Sequence, residues 1–155
     1  MEVEPIAHVT AARERPDDDY WGGAQACITL TDAFTPQALT GLDEFSHVEV
    51  LFSFHQVQPS QVLCGARHPR NNPAWPRVGI FAQRGKNRPN RIGSTICRVL
   101  RVEGVKLYVA ELDALDGTPV LDLKPVMREF LPREAVRQPR WSQELMGAYW
   151  AKPVE

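Results

Sequence analysis

Four cations crowd one short stretch: in GIFAQRGKNRPNRIGST, residues 79–95, Arg84, Lys86, Arg88 and Arg91 stand together without an acidic neighbour. Guanidinium groups bind carboxylates and phosphates through paired N–H donors, so this stretch suits an anionic ligand. Two other segments gather polar groups at the ends of apolar runs. One is His55-Gln56; the other is ELDALDGTP, residues 111–119, with Glu111, Asp113 and Asp116. Imidazole and carboxylate side chains can take a proton from a reacting group or accept hydrogen bonds from hydroxyls. Each also has a plainer reading, His55 as a satisfied structural residue and Asp116-Gly117-Thr118-Pro119 as turn chemistry. Nucleophile elbows, phosphate loops, HExxH zinc motifs and GxGxxG fingerprints are missing from the sequence.

These groups need strands to hold them. Residues 46–57 alternate, with Val48, Val50, Phe52 and Phe54 on one face and His47, Glu49, Leu51, Ser53 and His55 on the other. Residues 24–31, 78–82, 92–102, 105–112 and 118–123 read as further strands, and Glu103-Gly104 predicts a hairpin between two of them. Helix signals are sparse. Thr35-Pro36 opens a short helix that Gly41 stops. After Pro139, Trp141, Leu145 and Tyr149 repeat at helical spacing beside Met146 and Trp150, predicting an amphipathic helix that ends before Pro153. Its aromatic stripe suits packing on the core or on a second subunit. Residues 58–76, with four prolines, read as loop. Many short strands and few helices predict a mainly β protein, a compact antiparallel sheet or barrel, with no βαβ alternation.

The 155 residues suit one domain with a real core. A hydrophobic share of 43% and a charged share of 24% are those of a globular protein. Cys27, Cys64 and Cys97 lie far apart without metal-ligand spacing, which points to a reducing compartment and away from zinc or disulfides. No leader pattern opens the chain and no apolar run reaches membrane-spanning length, so the expected location is cytoplasmic. The net charge of −1 conceals an asymmetry. Residues 50–102 contain no Asp or Glu but nine of the 18 Lys and Arg residues, giving +9 there and −10 in the flanks. Such a field attracts polyanions, unless the acidic flanks fold against it.

Several motifs then occur in one order. Phe45-Ser46-His47 and Phe54-His55-Gln56 come first. Gly79-Ile80-Phe81-Ala82-Gln83-Arg84, Arg88-Pro89-Asn90 and Ile92-Gly93 follow. The run from Leu112 through Asp113, Asp116, Gly117 and Asp122 to Lys124-Pro125 closes the set. Together they resemble the TsaA-like (TrmO, YaeB) family over residues 6–125. The resemblance implies a β-barrel methyltransferase that uses S-adenosyl-L-methionine. Its acceptor would be the exocyclic amine of threonylcarbamoyladenosine, beside the anticodon of tRNA. It also implies a homodimer with the cofactor near the subunit interface. Carried over by position, His55, Gln56, Arg84, Ser94, Ala110, Glu111, Leu112 and Asp113 match cofactor positions. Arg84 would fork onto the cofactor's carboxylate, and Asp113 or Glu111 would accept from the ribose or amino group. The segment closing the site maps near residues 15–22. Asp113, Asp116 and His55 are the candidates for a catalytic base. Arg67, Arg70, Lys86, Arg88 and Arg91 are the candidates for the phosphates of an anticodon stem-loop, with Trp75 or Tyr20-Trp21 as stacking faces.

The chain departs from the family pattern at Gln83, Gly85 and Arg91, where the common form has threonine, a small residue and a second proline. These changes bear on the acceptor more than on the cofactor. Two alternatives stay open: a methyltransferase for another RNA or a small molecule, and a non-catalytic S-adenosylmethionine-binding module. Residues 127–155 read as a C-terminal extension of the single domain, packing on the barrel or on a dimer partner.

Overall fold

A computed structural model describes residues 1–154. Six strands close into an antiparallel barrel in the order β1-β2-β7-β6-β3-β8. They are β1 (Ala7–Ala11), β2 (Gln25–Leu30), β3 (His47–Ser53), β6 (Ile92–Glu103), β7 (Lys106–Ala110) and β8 (Pro119–Pro125). The two-residue strands β4 (Ala66–Arg67) and β5 (Val78–Gly79) pair outside the barrel within the proline-rich region. Among the described residues one segment is α-helical, α1 (Arg140–Leu145), within residues 127–154.

Inward residues follow the period-2 pattern. Val48, Val50 and Phe52 of β3 meet Ala7 and Val9 of β1, Ile28 of β2, Cys97 of β6, Leu107 and Val109 of β7 and Val120 of β8 in one buried cluster. Phe54 continues the apolar face beyond β3 and packs edge-on to Phe52, with ring centroids 5.4 Å apart. Gly93 makes room for both rings, because a Cβ there would lie 2.6 Å from Phe52 and 2.9 Å from Phe54. Gly93 of the Ile92-Gly93 motif is thus a packing requirement of the barrel.

Several expectations shift in detail. The stretch 78–82 is strand only through Gly79; Ile80–Ala82 coils into a 3-10 turn. The buried Gln83 amide, donating to the Val78 carbonyl at 2.9 Å, secures that turn. Thr35 precedes a 3-10 turn, Pro36–Leu39, without donating or accepting a side-chain cap. The C-terminal helix stops at Leu145 instead of running towards Pro153. Gly147 follows, and the backbone turns away to pair with residues 20–22, which outweighs the helical period of the aromatic stripe. Strand β1 is additional: its alternation rests on Ala7 and Val9, a weak signal beside β3.

Every neighbouring pair of barrel strands is antiparallel, so strand ends sort onto two rims. One rim carries the C-terminal ends of β1, β3 and β7 and the N-terminal ends of β2, β6 and β8. Residues 53–56, 92–95 and 110–119 all fall there. The topology gathers the chemistry-bearing segments that sequence leaves scattered.

Candidate functional site at one barrel rim

At this rim, two consecutive residues of β6 reach in different directions. The Ser94 carbonyl accepts from Arg84 Nη2 at 2.6 Å, and the Ser94 hydroxyl donates to Glu49 Oε1 at 2.7 Å. The buried Thr95 hydroxyl donates to Asp113 Oδ1. Period-2 geometry explains why the two hydroxyls part, since the Ser94 side chain stands on the outer face of the barrel and that of Thr95 on the inner. Arg84 and Asp113 are thereby fastened to adjacent positions of one strand. The exposed Arg84 guanidinium keeps further N–H donors for a ligand.

Asp113 has a second partner that sequence reasoning did not assign: the Tyr149 hydroxyl donates to Oδ2. Burial and the adjoining Asp113 carboxylate push the Tyr149 phenol well above its ordinary value, while Arg84 and Arg70 pull the other way. The phenol is a neutral donor at physiological pH. The period-four stripe of the C-terminal segment was the only sequence signal for this residue. Below Asp113, Cys97 is buried, and burial followed by the Asp113 and Glu111 charges holds its thiol protonated.

The connection after β7 is tightly shaped. Ala110 and Leu112 are buried, and Glu111 between them has a left-handed φ of 66° with its N–H donating to the Ala24 carbonyl at 2.7 Å. A non-glycine residue held in that region is strained, and the strain redirects the chain across the rim. Asp116 Oδ1 accepts from the Ala11 N–H at 3.0 Å, tying the end of β1 to this connection. His55 is exposed just past β3, and Gln56 Nε2 donates to the Glu14 carbonyl at 3.5 Å. The nearby Phe54 N–H donates to the Arg91 carbonyl at 2.8 Å, which brings the residues after β3 beside the cationic loop.

That loop uses most of its cations to hold itself. Arg88 Nη1 donates to the Gln83 carbonyl at 2.6 Å, and Arg91 Nη1 to the Val57 carbonyl at 2.7 Å. Two family departures therefore have structural tasks, Gln83 as the residue that closes the 3-10 turn and Arg91 as a tie between loops. Gly85 leaves space that a Cβ would fill at ordinary contact distance from Arg67. Arg70 forms a two-pronged pair with Asp19, at 2.9 and 3.1 Å, and lies 3.7 Å from Asp18. Its charge is answered within the fold, so it serves first as a staple for residues 17–20.

The proposed stacking faces divide. Trp21 is buried beneath Arg13, whose guanidinium carbon lies 3.7 Å from the ring centroid, so it offers no open face. Trp75 is pinned by its Nε1–H, which donates to Glu144 at 2.9 Å. That bond, followed by the Arg140 contact, lowers the Glu144 carboxyl below its ordinary value. Tyr20 stays exposed, with a left-handed φ of 66°, on an open cleft shared with Arg13, Arg70, Pro153 and three aspartates, Asp17, Asp18 and Asp19. Among the described residues no group of three or more His, Cys, Asp and Glu side chains is placed to hold a metal ion.

Comparison with known proteins adds to this geometry. The human tRNA (adenine(37)-N6)-methyltransferase is 39% identical over 119 residues, covering 75% of this chain and 26% of its own. The Escherichia coli K12 protein of the same name is 39% identical over 94 residues, covering 58% of this chain and 40% of its own. The chain thus spans about a quarter of the length of the human relative. The crystal structure of TrmO from Pseudomonas aeruginosa superposes with a TM-score of 0.71 at 30% identity, covering 88% of this chain and 60% of that one. Residues 10–130 match the tRNA-methyltransferase O N-terminal domain, and the chain belongs to that family.

Proposed function

We propose that this chain is an S-adenosyl-L-methionine-dependent tRNA methyltransferase acting on the exocyclic amine of threonylcarbamoyladenosine beside the anticodon. The observation that carries the reading is the bonded series Arg84–Ser94 and Thr95–Asp113 at one rim, in a chain whose relatives bear the tRNA methyltransferase name. The residues fit the cofactor's chemistry. An exposed guanidinium with spare donors suits its carboxylate, and a fixed, part-buried carboxylate suits ribose hydroxyls or the amino group. Ala110, Glu111 and Leu112 offer backbone groups for a base edge, and His55, Gln56 and Ser94 border the same rim.

S-adenosylmethionine supplies an electrophilic methyl group on a cationic sulfur. The chain's own work is positioning, together with accepting a proton from a weakly nucleophilic amine. Asp113 is engaged by two hydroxyls and Asp116 by the Ala11 N–H. The exposed His55 imidazole is the least committed of the three catalytic candidates. Lys86, Arg88, Arg91 and Arg67, with Arg70 behind them, would face RNA phosphates, and Tyr20 takes over the stacking role from Trp21 and Trp75.

We place the cofactor site beside a homodimer interface. Ile92, Ile96 and Leu100 are exposed on β6, and Phe81 is 78% exposed, apolar surface that a second copy would cover. Three free cysteines fit a reducing cytoplasm, and among the described residues no helix is long and apolar enough to cross a membrane.

The test is mass spectrometry of tRNA nucleosides from cells lacking the protein, followed by restoration in vitro. Loss and recovery of methylated threonylcarbamoyladenosine supports the reading. An unchanged nucleoside profile refutes it.

A further inference from the structure

We propose that Tyr149 is a positioning residue of the cofactor site, its hydroxyl holding the Asp113 carboxylate in one orientation. The proposal rests on the reading of Asp113 as a cofactor contact. It concerns a segment beyond residues 10–130, the part of the chain that matches the family.

A carboxylate on a short stem rotates over a broad torsional well. Here each oxygen is held by a different element, Oδ1 by the Thr95 hydroxyl of β6 and Oδ2 by the Tyr149 hydroxyl of the C-terminal segment. A carboxylate has about four acceptor positions, so two remain for hydroxyl or amino donors of a ligand. Orientation fixed before binding removes an ordering cost from the binding step.

The segment that delivers Tyr149 is itself firmly seated. The backbone N–H groups of Tyr20, Trp21 and Gly22 donate to the carbonyls of Ala148, Tyr149 and Ala151 at 3.1, 2.8 and 3.2 Å. Gly22 permits this approach, because a Cβ there would run into the Trp150 carbonyl. The Tyr149 ring packs edge-on to Trp150, with centroids 5.0 Å apart. At the other end of the segment, Glu144 of α1 accepts from Trp75. Residues 20–22 end the stretch assigned to closing the site, so the C-terminal segment bridges that stretch to Asp113. Tyr149 acts through Asp113 and takes no part in bond making.

The experiment uses the full chain and S-adenosylhomocysteine as the probe, with affinity read by calorimetry. Tyr149→Phe keeps the ring and removes the hydroxyl, and is expected to weaken binding about tenfold, the scale of a hydrogen bond to a charged group. Gly22→Ala displaces the segment while leaving Tyr149 intact, and is expected to lower affinity similarly. In an Asp113→Ala background, adding Tyr149→Phe changes affinity less than about twofold, because the hydroxyl then has no carboxylate to position. With tRNA as acceptor, Tyr149→Phe raises KM for the cofactor and leaves kcat within about twofold. Wild-type affinity in Tyr149→Phe, beside a loss in Arg84→Ala, overturns the proposal alone. Tighter binding in Tyr149→Phe also overturns it, by showing that the segment obstructs the site. Absence of binding to the wild-type chain refutes the cofactor reading itself.

Discussion

Asp113→Ala is the most informative single perturbation of stability. The substitution leaves two hydroxyls, those of Thr95 and Tyr149, without their acceptor. Thr95 is buried and Tyr149 largely so, which prevents water from replacing Asp113 freely. An orphaned buried hydroxyl costs about 1–3 kcal/mol, so the two together cost about 2–6 kcal/mol. Removing a partly desolvated carboxylate returns some of this, leaving a net loss of about 2–3 kcal/mol. For a chain of this size each kcal/mol shifts Tm by about 2–4 °C, so the variant should melt about 5–10 °C lower. Asp113→Asn keeps one carbonyl acceptor and should lose about half as much. The assay is circular dichroism at 218 nm, a wavelength suited to β structure, over a slow temperature ramp at neutral pH. Tyr149→Phe added to Asp113→Ala should cost less than about 0.5 kcal/mol more, because its partner is already gone. A Tm for Asp113→Ala within experimental scatter of the wild type would refute the bonded triad, and with it the fixed orientation assigned to the Asp113 carboxylate.

Gly93→Ala should destabilise by about 1–3 kcal/mol, because its methyl would press on Phe52 and Phe54; denaturant unfolding with an unchanged m-value checks it. Stability should fall as pH rises past 10, the ordinary tyrosine value, because the unfolded chain ionises there while folded Tyr149 stays neutral. Tyr149→Phe should flatten that part of the profile, while the buried Cys97 thiol, raised from 9.0, contributes a separate loss that begins about one pH unit lower. Thiol labelling of the native protein should modify the exposed Cys64 rapidly and spare Cys97, as peptide mapping would show. Replacing Lys86 with Ala should weaken tRNA binding and reduce its salt slope by about one unit; an unchanged slope would remove Lys86 from the RNA face.

How much of this was legible in the sequence depended on how local each signal was. The alternation of β3 and the Glu103-Gly104 hairpin are written within a few residues, and the barrel follows from them with its strand class intact. Strand β1 was missed because Ala7 and Val9 carry little apolar contrast, yet its pairing with β2 and β8 closes the barrel. Arg84, Ser94 and Asp113 were named from motif positions, but the reason that they meet is tertiary. One rim collects the start of β6 and the end of β7, and no window of sequence contains both. Tyr149 was visible only as part of a helical stripe. Its encounter with Asp113 depends on Gly147 ending the helix and on Gly22 admitting the segment 125 residues earlier in the chain, a coincidence that periodicity does not encode.

The cationic window shows why a structural and an electrostatic role need not compete. By charge alone its arginines suit either a solvated face paired with acidic flanks or a polyanion site. In the fold, Arg84, Arg88 and Arg91 each donate to backbone carbonyls, which fixes their loops. A carbonyl accepts the hydrogen bond without cancelling the charge. Only Arg70 and Arg101, of the nine cations in the window, have a carboxylate within ion-pair distance among the described residues. The other seven keep their charge, and the acidic flanks do not fold against them as ion pairs. A field of that density, held by loops that the same arginines brace, suits the phosphate backbone of the proposed tRNA substrate. It follows that Arg88→Gln and Arg91→Gln, which can keep a donor to the carbonyl, should preserve loop structure and Tm better than alanine while losing tRNA affinity to the same extent. Equal loss of Tm in the glutamine and alanine variants would show that the positive charge itself, and not the hydrogen bond, braces the loop.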